Sequence, residues 1–166
     1  MTIFLCGFMG CGKSTIGRLL AELLNTEFID MDIYIQELEG LSIPEIFSSK
    51  GEPYFRTAET NAITQLADCN AVVGCGGGAM VNPKNFQLAT ENGSKVIFLD
   101  VPFDRCYQRI KGDSNRPIVV NNSKEQLHDI FNLRHELYLQ NSSYSIAIDG
   151  NAKPIENATK VFNSLK

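Results

Sequence analysis

Short apolar runs alternate along the chain with longer stretches of helical spacing, and this alternation sets the expected elements. Strands are predicted near residues 2–6, 27–30, 71–75, 95–100 and 145–149. The first helix should run from Thr15 to Leu24, with Ile16, Leu19, Leu20, Leu23 and Leu24 on its inner face. A second should use Ile33, Ile35 and Leu38 and stop at Gly40. Ser42-Ile43-Pro44-Glu45 reads as a capping box opening a short helix through Ile46 and Phe47. After Gly51 a longer helix should extend from Glu52 to about Ala67. Asn82-Pro83 starts another, through Phe86, Leu88 and Ala89, ending at Asn92-Gly93. Pro102 leads into a helix with Cys106, Tyr107 and Ile110 inward. Ser123-Lys124-Glu125-Gln126 is a second capping box, opening a helix through Leu127, Ile130, Phe131, Leu133, Leu137 and Tyr138. A closing helix spans Ile155 to Leu165, with Val161, Phe162 and Leu165 inward. Strands alternating with helices predict an α/β fold around a parallel sheet. Right-handed crossovers make it a three-layer α/β/α sandwich of five strands. The consecutive helices within about 31–60 are an insertion into that plan, and insertions often carry specificity. The polar, Gly/Asn/Ser-rich stretch at 112–122 is expected to be a mobile loop.

Composition narrows the class. At 166 residues the chain is long enough for one domain, 1–166, with its own core. A formal net charge of −4 speaks against a nucleic-acid binder held by a broad basic surface. The N-terminal apolar run is broken by Gly7, Gly10, Gly12 and Lys13, so it reads as a core strand and not a leader. No apolar run approaches the ~18 residues of a membrane span. Five cysteines with no C-x-x-C pair point to reduced thiols in a cytoplasm, with neither disulfides nor a zinc site.

Chemistry is concentrated where strands end. Gly7-Phe8-Met9-Gly10-Cys11-Gly12-Lys13-Ser14 fits G-x-x-x-x-G-K-[ST], between a predicted strand and a predicted helix. This is a phosphate-binding loop (P-loop): backbone N–H groups from Gly10 to Thr15 wrap a phosphate, and the helix N-terminus adds positive potential. Lys13 can reach the β- and γ-phosphates, and the Ser14 hydroxyl can ligate Mg²⁺. Cys11 lies among those N–H groups, which raises the expectation of a reactive thiol that nucleotide would shield. Phosphoryl transfer rests on positioning and charge neutralisation. Asp30 and Asp32 follow the second strand; Asp30 suits Mg²⁺ through water, and Asp32 suits the acceptor hydroxyl as orienter or general base. Arg56 stands near a helix start, against the dipole, which hints at an anionic ligand; Glu59 at i+3 can offset it. Arg116 is placed to close on phosphates as a lid residue. Arg18 and Arg105 read as surface charges, and Arg134 as a snorkelling residue unless a ligand claims it. Gly76-Gly77-Gly78 permits close approach of a ligand to backbone. His128 and His135 have no partner at metal-ligand spacing.

Taken in order, G-F-M-G-C-G-K-S-T at 7–15, D-M-D at 30–32, G-E-P-Y-F-R-T-A-E at 51–59, G-G-G at 76–78, R-P at 116–117 and R-H-E-L-Y at 134–138 closely resemble shikimate kinase over nearly the whole chain. The resemblance implies a nucleoside-monophosphate-kinase-like P-loop fold with sheet order 2-3-1-4-5. It implies ATP-dependent phosphorylation of the shikimate 3-hydroxyl, with Mg²⁺, in the route to chorismate and the aromatic amino acids. It implies Ser14 and Asp30 as metal residues, and Lys13, Asp32 and Arg116 as catalytic residues. Asp32, Arg56, Gly78 and Arg134, with Gly76 and Gly77 nearby, would form the shikimate pocket, and Arg109 would stack on adenine. The expected partners are small molecules, shikimate and ATP, for a monomer that binds neither nucleic acid nor membrane. Three departures stand out. Cys11 replaces a serine, Arg116-Pro117-Ile118-Val119 replaces an Arg-Pro-Leu-Leu lid, and the strap Asn151-Ala152-Lys153-Pro154 offers only Lys153 to adenine. Two rivals remain at this level: another small-molecule or nucleotide kinase of the same fold, and a non-catalytic nucleotide switch, whose N-K-x-D guanine signature is missing here.

Overall fold

The computed structural model describes residues 1–166. Its order is β1 (Ile3–Cys6), α1 (Lys13–Leu24), β2 (Phe28–Asp30), α2 (Met31–Glu39), α3 (Ile43–Lys50), α4 (Glu52–Leu66), β3 (Val72–Gly74), a 3₁₀ turn (Ala79–Val81), α5 (Pro83–Thr90), β4 (Lys95–Asp100), α6 (Phe103–Ile110), α7 (Pro117–Val120), α8 (Lys124–Gln140), β5 (Tyr144–Ala147) and α9 (Pro154–Ser164). The five strands are all parallel, in the order β2-β3-β1-β4-β5. The expected three-layer sandwich is therefore the observed one. Every residue of β1 is buried, because β1 pairs with β3 on one side and β4 on the other.

Crossovers from β1 to β2 and from β3 to β4 run in opposite directions across the sheet, so their helices lie on opposite faces. Helices α1 and α9 pack together on one face; α4 meets α5 and α6 meets α8 on the other. No helix is long and apolar enough to cross a membrane.

Several inward faces differ from expectation. Helix α1 buries Ile16, Gly17, Leu20 and Ala21, while Leu23 is exposed. The reason is close approach: a Cβ on Gly17 would lie 2.4 Å from the Phe28 ring, so the smallest residues face the sheet. In α2 the buried residues are Met31 and Ile35; Ile33 and Leu38 are exposed. In α8 only Leu127 and Tyr138 are fully buried, and Leu133 is exposed. The 112–122 stretch is more than a loop, since residues Pro117–Val120 form one helical turn. Pro117 at the first helical position has its φ preset, and Ile118 and Val119 pack partly against the core.

Both predicted capping boxes are present, at Ser42/Glu45 and Ser123/Gln126. The inserted helices are also tied at their far end. Tyr54 donates to Glu39 at 2.8 Å, and Lys50 pairs with the same carboxylate at 3.1 Å.

Candidate active site

The loops of interest leave the carboxyl ends of β1, β2, β3 and β4, the edge where ligands bind in parallel sheets. The first leaves β1. Gly10 and Gly12 have φ of 80° and 94°, a left-handed region in which a side chain is strained. They turn the chain so that α1 begins at Lys13, with its N-terminal amides facing the loop. Lys13 Nζ donates to Gly7 O at 2.7 Å and Phe8 O at 3.2 Å, and lies 3.5 Å from Cys11 Sγ. Arg109, from α6, crosses to this loop and donates to Gly10 O at 2.8 Å. An open groove of about 530 Å³ runs from Ser14 and Thr15 along Arg18, Leu19 and Glu22 to Pro154 and Ile155.

Cys11 does not match the expectation of a reactive thiol. It is 1% exposed, so reagent must first open the loop. Cys69 is the one exposed cysteine. Under native alkylation followed by peptide mass spectrometry, Cys69 is expected to label first. Cys11 should lag by on the order of 10²-fold, the scale of a local opening of a few kcal/mol.

The second loop starts at β2. Asp30 caps α2, its Oδ1 accepting from the N–H of Asp32 at 3.1 Å and of Ile33 at 3.3 Å. The cap fixes the first turn of α2 and thereby aims Asp32. Asp32 Oδ1 is buried and has no hydrogen-bond partner. Burial, reinforced by the charge of Asp30, pushes the Asp32 carboxyl above its usual value; Lys13, Arg116 and Arg56 pull the other way.

The Asp30 Oδ2 oxygen and the Ser14 hydroxyl make no hydrogen bond, so both are available to a metal. They are hard oxygen donors separated by one strand of the sheet, which suits Mg²⁺. No group of three or more ligating side chains forms a closed cage. An ion that keeps its waters and shares phosphate oxygens needs none.

The third cluster surrounds the glycine triplet after β3. A Cβ on Gly76 would lie 2.8 Å from Asp32 Oδ1 and 3.2 Å from Glu59 Oε1. One on Gly77 would lie 3.3 Å from Arg134 Nη1, and one on Gly78 only 2.5 Å from Arg56 Nη1. The structure thus gathers Asp32, Arg56 and Arg134 onto one bare backbone turn.

Arg56 is clamped on its own helix, by Glu59 at 2.6 Å and Glu52 at 3.1 Å. Glu59 is 1% exposed. Burial raises its carboxyl despite Arg56, with Asp32 adding to the rise. Sequence reasoning assigned Glu59 only the offsetting of Arg56; its i+3 spacing was the available signal, but its burial was not readable.

The roles of four other side chains escaped the sequence. Tyr138 donates its phenol to Gly77 O, and Asn141 donates to Met80 O at 3.0 Å, so α8 grips the triplet and the turn beyond it. His135 Nε2 lies 3.1 Å from Asp100 Oδ1. Arg105, read as a surface charge, donates to Asn151 at 2.6 Å and packs against Gly150, holding the segment before α9.

Arg116 precedes α7, exposed, with its Nε donating to Asp113 at 2.9 Å. Lys153 is exposed at the start of α9 beside the groove and is not drawn into the triplet cluster.

Comparison with known proteins agrees with this geometry. A family model described as shikimate kinase matches residues 9–166. A shikimate kinase of Persephonella marina is 45% identical over 139 residues, 83% of this chain and 84% of that one. The Aquifex aeolicus shikimate kinase is 36% identical over 167 residues, covering 100% of this chain and 96% of its own. Among solved structures, the shikimate kinase of Acinetobacter baumannii in complex with shikimate superposes with a TM-score of 0.89 at 36% identity, covering 99% of this chain and 92% of that one. A P-loop at β1, paired aspartates at β2 and two arginines over a glycine turn thus occur in a chain that matches this family nearly end to end, and the chain belongs to the shikimate kinase family.

Proposed function

We propose that the protein transfers the γ-phosphoryl group of ATP to the 3-hydroxyl of shikimate, giving shikimate 3-phosphate and ADP on the route to chorismate. The observation that carries this reading is the glycine triplet, with Asp32 against Gly76, Arg134 against Gly77 and Arg56 against Gly78. Two guanidiniums and one carboxylate at a bare backbone fit a small ring bearing a carboxylate and hydroxyls. Family membership supports the same assignment.

On the donor side, the amides of Gly10, Cys11, Gly12, Lys13, Ser14 and Thr15 would cradle the phosphates. The Lys13 ammonium would move from the loop carbonyls onto phosphate oxygens. Arg109, braced on Gly10, would cover adenine, with Lys153 at the edge of the groove. Ser14 and Asp30 would hold Mg²⁺. When bound, this ion neutralises charge on the phosphate oxygens. On the acceptor side, Arg56 and Arg134 would bind the carboxylate. Asp32 would accept the hydrogen bond of the attacking hydroxyl and take its proton. Arg116, on the 112–122 segment, would close over the phosphates.

A coupled assay of ADP release, with shikimate, gluconate or a nucleoside monophosphate as acceptor, tests the reading. Stimulation by shikimate alone is expected; its absence in folded protein would end the proposal. Arg134→Lys should raise KM for shikimate about tenfold with a smaller change in kcat, since a bidentate contact acts in ground and transition states alike. Steady-state kinetics decide it, and an unchanged KM counts against the role. The lid reading predicts slower amide exchange at 112–122 when ATP is added, on the order of tenfold or more. Equal exchange with and without nucleotide contradicts it.

A further inference from the structure

We infer that His135 is a positioning residue of the acceptor pocket, setting through Asp100 where α8 holds Arg134; this rests on the reading of Arg134 as a carboxylate-binding residue. Helix α8 is long but weakly buried. Of the 17 residues from Lys124 to Gln140, only Leu127 and Tyr138 are fully buried. Phe131 packs against Phe8 and Phe103 and holds the middle of the helix. Towards its C-terminal end discrete polar contacts add to its placement.

These contacts fall on one face. His135, Tyr138 and Asn141 follow one another at three-residue spacing, so they project to the same side. Tyr138 and Asn141 both hook the helix to the triplet and the turn after it, through Gly77 O, Met80 O and Val81 O. His135 is the hook to a different element. Its Nε2 meets Asp100 Oδ1 at 3.1 Å, at the end of β4. Asp100 is the last residue of that strand and pairs with Ala147 of β5, which anchors it to the sheet. The imidazole sits between Phe98, edge to face at 5.3 Å, and Phe131, at 5.7 Å. The rings leave its Nε2 end directed at the carboxylate.

Arg134 is the adjacent residue, and its guanidinium rests over Gly77. Tyr138 at Gly77 and Asn141 at Met80 and Val81 fix the C-terminal end of α8. The contact with Asp100 ties the turn that carries Arg134 to β4. Bidentate recognition of a carboxylate tolerates only a few tenths of an ångström of misplacement. Loss of His135 should thus be felt in acceptor binding. It should hardly be felt in stability, because both partners are about a third exposed and such pairs contribute little.

The test compares His135→Ala, His135→Gln and Arg134→Lys in the intact protein, with KM for shikimate and for ATP, kcat, and thermal melting for each. His135→Ala is expected to raise KM for shikimate about fivefold to tenfold, the scale of one lost hydrogen bond to a charged group. KM for ATP, kcat and melting temperature should stay near wild type. His135→Gln places an amide N–H where Nε2 stood and should restore most of the affinity. An unchanged KM for shikimate in His135→Ala overturns the inference. So does an equal rise in KM for ATP, or a loss that glutamine does not restore. The Arg134→Lys arm separates two failures. If it raises KM and His135→Ala does not, only the positioning role falls. If neither variant changes KM, the carboxylate-binding reading falls with it.

Discussion

Asp32→Asn is expected to lower kcat by on the order of 10²-fold or more, the range for a lost general base, and to raise the melting temperature at neutral pH. Both effects have one source. Asp32 Oδ1 is buried without a partner, and burial together with Asp30 lifts the carboxyl above its unfolded value of 3.8. At pH 7 the folded protein must hold a charge that the unfolded chain accommodates more easily. A raised folded pKa means that stability is complete below the unfolded value and declines as pH rises through the folded one. Asparagine removes the charge and with it the decline. The gain should be present at pH 7 and should shrink toward pH 4. Wild-type turnover should in turn fall as pH drops through the raised value, because the protonated acid cannot take a proton. Melting curves at pH 7 and pH 4, with kcat from coupled assays, check both halves. If the side chain only orients the hydroxyl, the amide carbonyl would do nearly as well and kcat would fall less than tenfold.

Gly78→Ala should fold yet lose on the order of 10²-fold in kcat/KM for shikimate, with KM for ATP little changed. The backbone at Gly78 has φ −98° and ψ −10°, which alanine adopts without strain. The conflict is entirely with a side chain. The new methyl would lie 2.5 Å from Arg56 Nη1 and 3.0 Å from both Cζ and Nη2, so the guanidinium must leave. It cannot leave freely, because Glu59 at 2.6 Å and Glu52 at 3.1 Å hold it. Swinging out breaks the pair with Glu59, a carboxylate 1% exposed, which destabilises by about 1–3 kcal/mol. A melting temperature lowered by a few degrees should therefore accompany the kinetic loss. Gly77→Ala is the control. Its methyl would stand 3.3 Å from Arg134 Nη1, a contact that a small shift relieves, so its effect should be milder. Equal kinetics for Gly78→Ala and wild type would remove Arg56 from the acceptor pocket.

The donor side was legible in the sequence because its chemistry is contiguous. Glycines, lysine and serine of the P-loop act within eight consecutive residues, and the strand and helix that frame them have clear periodicity. The acceptor side draws on residues from 32 to 134, and no local pattern says that these meet. Only the resemblance named Arg56 and Arg134 together. Glu59 was visible as an i+3 partner of Arg56 but not as a buried carboxylate facing Asp32 across Gly76. His135 was set aside for lack of a metal partner, whereas its partner is a single aspartate 35 residues earlier.

Periodicity alone determined the alternation of five strands with helices and the positions of both capping boxes, because these depend on neighbours within a turn or two. It misjudged which faces turn inward. Leu23, Ile33, Leu38 and Leu133 belong to apolar stripes yet are exposed, since the inward side is chosen by what the helix packs against. In α1 that choice fell to Gly17, small enough to meet Phe28, with Ala21 buried beside it on the same helix. Tertiary structure likewise decided that three charged side chains from α2, α4 and α8 share one glycine turn. That convergence follows from the strand order and from the depth at which α8 is docked, and both are set by contacts between elements far apart in the chain.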